Sequence, residues 1–131
     1  MDTAILTRLL FAHILSDFFL QTESLCRGKY KGGKKRILYL LVHSVIHTAM
    51  AYLFVGLWNN WIIPLTIFIT HFVIDWMKTS RKEDNAKVFV IDQMAHIVVI
   101  FLLWNFMAET FQLCQLWNNL DLNSTKIWTI L

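Results

Sequence analysis

Residues 37–58 read ILYLLVHSVIHTAMAYLFVGLW, a stretch with no Asp, Glu, Lys or Arg and with two histidines four positions apart. Its length matches the roughly 20 apolar residues that an α-helix needs to cross a bilayer core. The rest of the chain repeats the pattern. Apolar stretches run from Thr3 to Thr22, from Trp61 to Met77 and from Ala86 to Ala108. Pro64 falls in the first turn of the third stretch, where a missing N–H costs little. The expected fold is all-α: an integral membrane four-helix bundle over residues 1–108 with short connections. A C-terminal tail, 109–131, mixes Trp117 and Trp128 with polar residues and reads as an interfacial helix or a flexible segment.

Composition agrees. Of 131 residues, 56% are hydrophobic and 16% charged, and the mean hydropathy is +0.50. A soluble domain carries nearer a quarter charged residues. The formal charge of +3 is unevenly spread. ESLCRGKYKGGKKR at 23–36 holds six basic residues and one acid; KTSRKEDNAK at 78–87 holds four and two. The turn around Asn59 and Asn60 holds none. The positive-inside rule then puts both basic loops in the cytoplasm and both termini outside. Trp58, Trp61 and Trp104 fall near the outer ends of their spans, as an aromatic belt requires. No aromatic–basic interleaving accompanies the charge, which argues against nucleic acid and for contact with the lipid bilayer and its anionic lipids. Cys26 and Cys114 lie on opposite sides in this topology, so a disulfide between them is not expected. The first span lacks a basic leader region and a small-residue cleavage site, and reads as a retained helix.

Each span carries one pair of ligand-type residues four apart: His13 and Asp17, His43 and His47, His71 and Asp75, Asp92 and His96. These pairs use every histidine in the chain and every acid inside a span. Spacing by four puts both side chains on one helix face, the arrangement by which helical bundles present metal ligands to their axis. Three intramembrane carboxylates also demand partners or a cation. Counted from the cytoplasmic ends, Asp17, His43, Asp75 and Asp92 form a shallow layer. His13, His47, His71 and His96 form a deeper one, about 6 Å further in at 1.5 Å per residue. All eight are therefore candidate metal ligands.

Mixed imidazole and carboxylate donors suit a divalent transition metal, with zinc expected and Fe, Mn or Ni as alternatives. Eight candidates exceed the four that a closed zinc site needs. Either two ions bind, or some of the eight orient the ligands. Asp17 and Asp92 are candidate general bases. Gln21, Gln93 and Lys78 are placed to contact substrate or to support ligands; for the two glutamines the alternative is bundle packing, and for Lys78 the alternatives are a snorkelling membrane anchor and a phosphate contact.

The combined pattern of His13-x3-Asp17-Phe18-x2-Gln21, the basic loop, His43-x3-His47, His71-x3-Asp75-x2-Lys78 and Asp92-Gln93-x2-His96 resembles an uncharacterised domain-of-unknown-function family of small bacterial membrane proteins. The resemblance covers roughly residues 5–105 and implies a bacterial inner membrane. A more distant similarity, in size and in His/Asp placement, is to the membrane-bound metal-dependent hydrolases. That similarity implies a reaction class only. The expected function is a metal-dependent hydrolase open to the cytoplasm and acting on a lipid or phosphoester substrate. The alternatives are a transition-metal transporter or metal-binding subunit, and a haem or quinone redox protein.

Overall fold

The computed structural model describes the backbone of residues 3–81 and 85–128, with side chains at 3–81, 85–110 and 112. The described residues form helices and turns. Helix α1 covers Thr3–Ile14 and runs directly into a π-helical segment, Leu15–Leu20. The others are α2 (Glu23–Lys29), α3 (Gly33–Val55), α4 (Ile62–Ser80) and α5 (Ala86–Trp128). Four stretches are long and apolar enough to cross a membrane: Thr3–Leu20, Gly33–Val55, Ile62–Ser80 and Ala86–Thr110. Large side chains such as Phe19, Leu38, Leu65 and Ile91 face outward along these helices. That is the expected surface when the surrounding solvent is hydrocarbon.

Local chemistry sets the helix ends. Thr22 Oγ1 accepts from the Leu25 N–H and starts α2, and Asn85 Oδ1 accepts from the Val88 N–H at the start of α5. Gly56, with φ +72°, ends α3 in the left-handed conformation that glycine tolerates best. Arg8 adds a bond from Nη1 to the carbonyl of Val55 at the same end. Tyr52 packs its ring against Trp58 and Trp61 beside the α3–α4 turn, an aromatic cluster at one end of the bundle. Trp104 departs from the expected belt. It is only 9% exposed and belongs to the core, because its position on α5 turns it toward the other helices.

The basic stretch 23–36 also departs from a simple loop. It folds into α2 and the first turn of α3, and α2 packs against α3. Gly28 allows that approach: a Cβ there would fall 2.3 Å from the Tyr39 ring. Two of the six cations in this stretch turn inward. Arg36 donates to the Trp76 carbonyl and to the hydroxyls of Thr79 and Ser80, pinning the last turn of α4. Lys29 enters the bundle itself.

The α5 backbone stays helical without a break through residue 108 and on to Trp128. At 1.5 Å per residue its length is about 65 Å, roughly twice a hydrocarbon core. The side chains beyond 112 lie outside the described residues. At the turn end of the bundle, Leu9, Ala12, Ala51, Val55, Ile63, Ile67, Ile100 and Leu103 close into one apolar cluster. The polar side chains gather on the other side of that cluster, toward α2.

Candidate metal centre

The four helix pairs do converge. His13, His43, His47, His71, Asp75, Asp92 and His96 are each 6% exposed or less, and the Asp17 side chain is 8% exposed. The imidazoles form one continuous cluster. His47 and His71 stack with centroids 3.6 Å apart, His71 lies 4.2 Å from His96, and His43 lies 4.6 Å from His47. The two expected layers merge as a result. Asp17 Oδ1 bridges them, 3.1 Å from His43 Nε2 and 3.0 Å from His47 Nε2. Asp17 sits in the π-helical segment, a feature that is frequent at functional sites.

Hydrogen bonds sort the imidazoles by role. His96 Nδ1 lies 2.8 Å from the backbone carbonyl of Asp92, which accepts its proton and leaves Nε2 as the lone-pair atom. That Nε2 is buried and has no hydrogen-bond partner among the described residues. A metal-binding histidine is held in this tautomer, with its other ring nitrogen donating to a carbonyl. His71 Nε2 is likewise unpartnered, as are both ring nitrogens of His43. The Asp17 oxygen beside His43 lies off the direction of a hydrogen bond. A buried polar atom left unpaired costs about 1–3 kcal/mol, so several in one cluster point to a group that would satisfy them together.

His13 is different. Its Nε2 donates to Gln93 Oε1 at 3.3 Å, and the Gln93 amide donates to Asp17 Oδ2 at 2.8 Å. With that nitrogen protonated, His13 holds Gln93, and Gln93 holds Asp17. Gln21 acts similarly on the other side. With its amide turned so that the oxygen faces Lys29 Nζ at 2.8 Å, the nitrogen donates to the Asp17 backbone carbonyl at 3.3 Å.

The donor geometry fits a metal ion. One donor atom each from Asp17, His43, His47 and His71 lies within 4.8 Å of every other, and the same holds for His71, Asp75 and His96. In a tetrahedral centre with bonds near 2.0–2.1 Å, neighbouring donor atoms stand about 3.3 Å apart. The 3.0 and 3.1 Å separations at Asp17 Oδ1 are close to that value. A cavity of about 20 Å³ lies against the deep imidazoles, lined by His13, His47, His71 and His96 and closed by Leu9, Ala51, Ile67 and Ile100. That is room for about one water molecule.

Two lysines complete the site. Lys29 Nζ donates to Asp75 Oδ2 at 2.6 Å, with both side chains 5% exposed or less. Lys78 Nζ donates to Asp92 Oδ2 at 2.9 Å. Lys78 thus points inward to a carboxylate, whereas Lys29 is a site residue that the sequence reading assigned to topology and lipid contact. Three buried carboxylates facing two ammonium groups leave one negative charge, which sits on Asp17. With the imidazoles neutral, a bound cation would balance it.

A model of one protein family matches residues 5–123. The chain belongs to this family, described as "Protein of unknown function (DUF3307)". The match reaches 18 residues beyond the 105 expected from the motifs alone, so the DUF3307 region takes in most of the α5 extension. No curated protein and no solved structure matches the chain. In this DUF3307 chain the helices carry the His/Asp cluster at their centre.

Proposed function

We propose that this DUF3307 protein is a bacterial inner-membrane metalloprotein, most simply a zinc-dependent hydrolase acting on a lipid phosphoester from the cytoplasmic side. The observation that carries this reading is the group Asp17, His43, His47 and His71, buried and mutually close, in which both ring nitrogens of His43 and Nε2 of His71 have no hydrogen-bond partner among the described residues. A metal held there would supply Lewis acidity and activate a bound water.

The chain's own residues divide the remaining work. Asp17 is committed to His47 and Gln93, and serves best as a ligand. Asp92 keeps one buried oxygen, Oδ1, without a hydrogen-bond partner. It is therefore the better general base, able to take a proton at that atom. Lys78, on the other Asp92 oxygen, holds the carboxylate in place and puts a positive charge beside it. Gln93 and His13 fix the Asp17 rotamer, and Lys29 neutralises Asp75.

The apolar cluster favours this reading over transport. A path for ions needs polar groups on both sides of its filter, and here Leu9, Ala51, Val55, Ile63 and Ile67 close one side. The packed rings also leave no slot for a haem between the histidines. The test is elemental analysis of the purified protein together with phosphate release from a lipid phosphomonoester in mixed micelles. One or two transition-metal ions per chain and turnover abolished by chelation support the proposal. Absence of any metal overturns it. Metal without turnover, combined with metal flux into vesicles, would favour the transporter.

A further inference from the structure

Outside the histidine cluster, one groove joins the lipid-facing surface to the polar interior. It lies between the last turns of α4 and the first turns of α5, with a volume of about 140 Å³. Its walls include Met77, Val88 and Ile91; Met77 and Ile91 are more than half exposed and face the hydrocarbon side. Among the described residues its charged lining is Lys78, Arg81 and Asp92. Two cations against one carboxylate give this described lining a net positive charge. Arg81, the C-cap of α4, follows Lys78 by three positions and keeps helical backbone angles, so the two share a face.

Ordinary snorkelling explains cations at a helix end, but not this pairing. Lys78 points inward to Asp92 and stands over the Phe89 ring at 5.5 Å. It thereby lines the groove and touches the buried site at once. Asp92 is in both as well: it lines the groove, and its Oδ1 lies 4.0 Å from His96 Nδ1. His96 in turn shares a donor group with His71 and Asp75. A continuous line of side chains therefore runs from the membrane face to the candidate metal centre.

We propose that this α4–α5 groove binds the phosphate of an anionic membrane lipid, with its chains lying along Met77, Val88 and Ile91 and its phosphate held by Lys78 and Arg81. Charge selects an anion, and the apolar walls between two bilayer-facing helices select a lipid over a soluble phosphate. Lipid binding here needs no metal. That the bound lipid is the substrate, brought within reach of Asp92, rests on the hydrolase reading above.

The experiment is a binding titration of the purified full chain in detergent, followed by native mass spectrometry. The ligands are short-chain phosphatidic acid, phosphatidylcholine of the same chains, and inorganic phosphate. Each cation near a lipid phosphate contributes about 1 kcal/mol, so Arg81→Gln should weaken phosphatidic acid binding about fivefold. Phosphatidylcholine binding should change little, and metal content should stay at the wild-type value. Lys78→Met should weaken the same lipid further, but it also leaves Asp92 unpaired. Arg81→Gln therefore carries the test, and Lys35→Gln, on α3 and away from the groove, is the control. Wild-type affinity for phosphatidic acid in Arg81→Gln overturns the groove, whatever the metal content. Displacement of the lipid by an equal concentration of inorganic phosphate also overturns it, since the site would then take a soluble anion. A wild-type chain without metal whose lipid preference depends on Arg81 would remove the hydrolase reading and leave the groove standing.

Discussion

Lys29 Nζ and Asp75 Oδ2 meet at 2.6 Å in the interior of the bundle, joining the short helix α2 to the C-terminal half of α4. Their pairing converts a basic segment beside the membrane into part of the site. Removing the ammonium leaves a buried carboxylate without its partner, and breaking such a pair costs about 3–5 kcal/mol. Lys29→Met is therefore expected to destabilise the protein strongly. Lys29→Met with Asp75→Leu should recover most of that loss, because neither charge then remains. Unfolding in detergent, followed by tryptophan fluorescence, measures both. Equal losses in the single and double variants would show that the unpaired Asp75 carboxylate is not what destabilises Lys29→Met.

Gly28, next to Lys29 in the buried part of α2, controls how closely that helix docks on α3. A methyl group there meets the Tyr39 ring at 2.3–2.5 Å, so the ring or the helix must move. Gly28→Ala should cost about 1–3 kcal/mol, the usual range for overpacking. Adding Tyr39→Ala should make the combined loss clearly smaller than the sum of the two single losses, since the residues touch. Additive losses would place the effect elsewhere.

The imidazoles should separate into ligands and supports. His43 has no hydrogen-bond partner on either ring nitrogen among the described residues, whereas His13 is held by Gln93. His43→Gln should remove metal from the purified protein. His13→Gln should keep the ion at saturating metal but weaken its affinity about 10–100-fold, the range for a residue that orients ligands. Metal competition against a chromophoric chelator distinguishes the two. If His13→Gln strips the metal and His43→Gln keeps it, the roles are reversed.

The spans and their histidine pairs were legible because both follow from simple periodicities. Apolar length marks a crossing helix, and a spacing of four puts two ligands on one face. The merging of the two layers was not legible, since it depends on where the π-helical segment places Asp17. Lys29 was missed for a different reason. It lies 46 residues from Asp75 in the chain and inside a basic run that the positive-inside rule already explains. Charge balance could have found it: three intramembrane aspartates need cations, and the spans hold too few. Thr22 as a helix cap, followed by Glu23 and Arg27 paired four apart, was a further sign that this stretch is helical.

The apolar cluster predicts a one-sided site. Leu9, Ala12, Ala51, Val55, Ile63, Ile67, Ile100 and Leu103 stand between the histidines and the turn end of the bundle. Vesicles carrying the reconstituted protein and a trapped metal-sensitive dye should show no more zinc entry than empty vesicles. A protein-dependent, saturable influx would mean that this cluster opens, and the transporter would then be the better account.

The measurement that bears most directly on the centre is metal-edge X-ray absorption of the purified, metal-loaded protein. Ligation by Asp17, His43, His47 and His71 predicts nitrogen and oxygen neighbours at about 2.0–2.1 Å, with the outer-shell scattering of about three imidazole rings. A spectrum dominated by sulfur, or one with water oxygens and no imidazole scattering, would contradict a metal held by these residues.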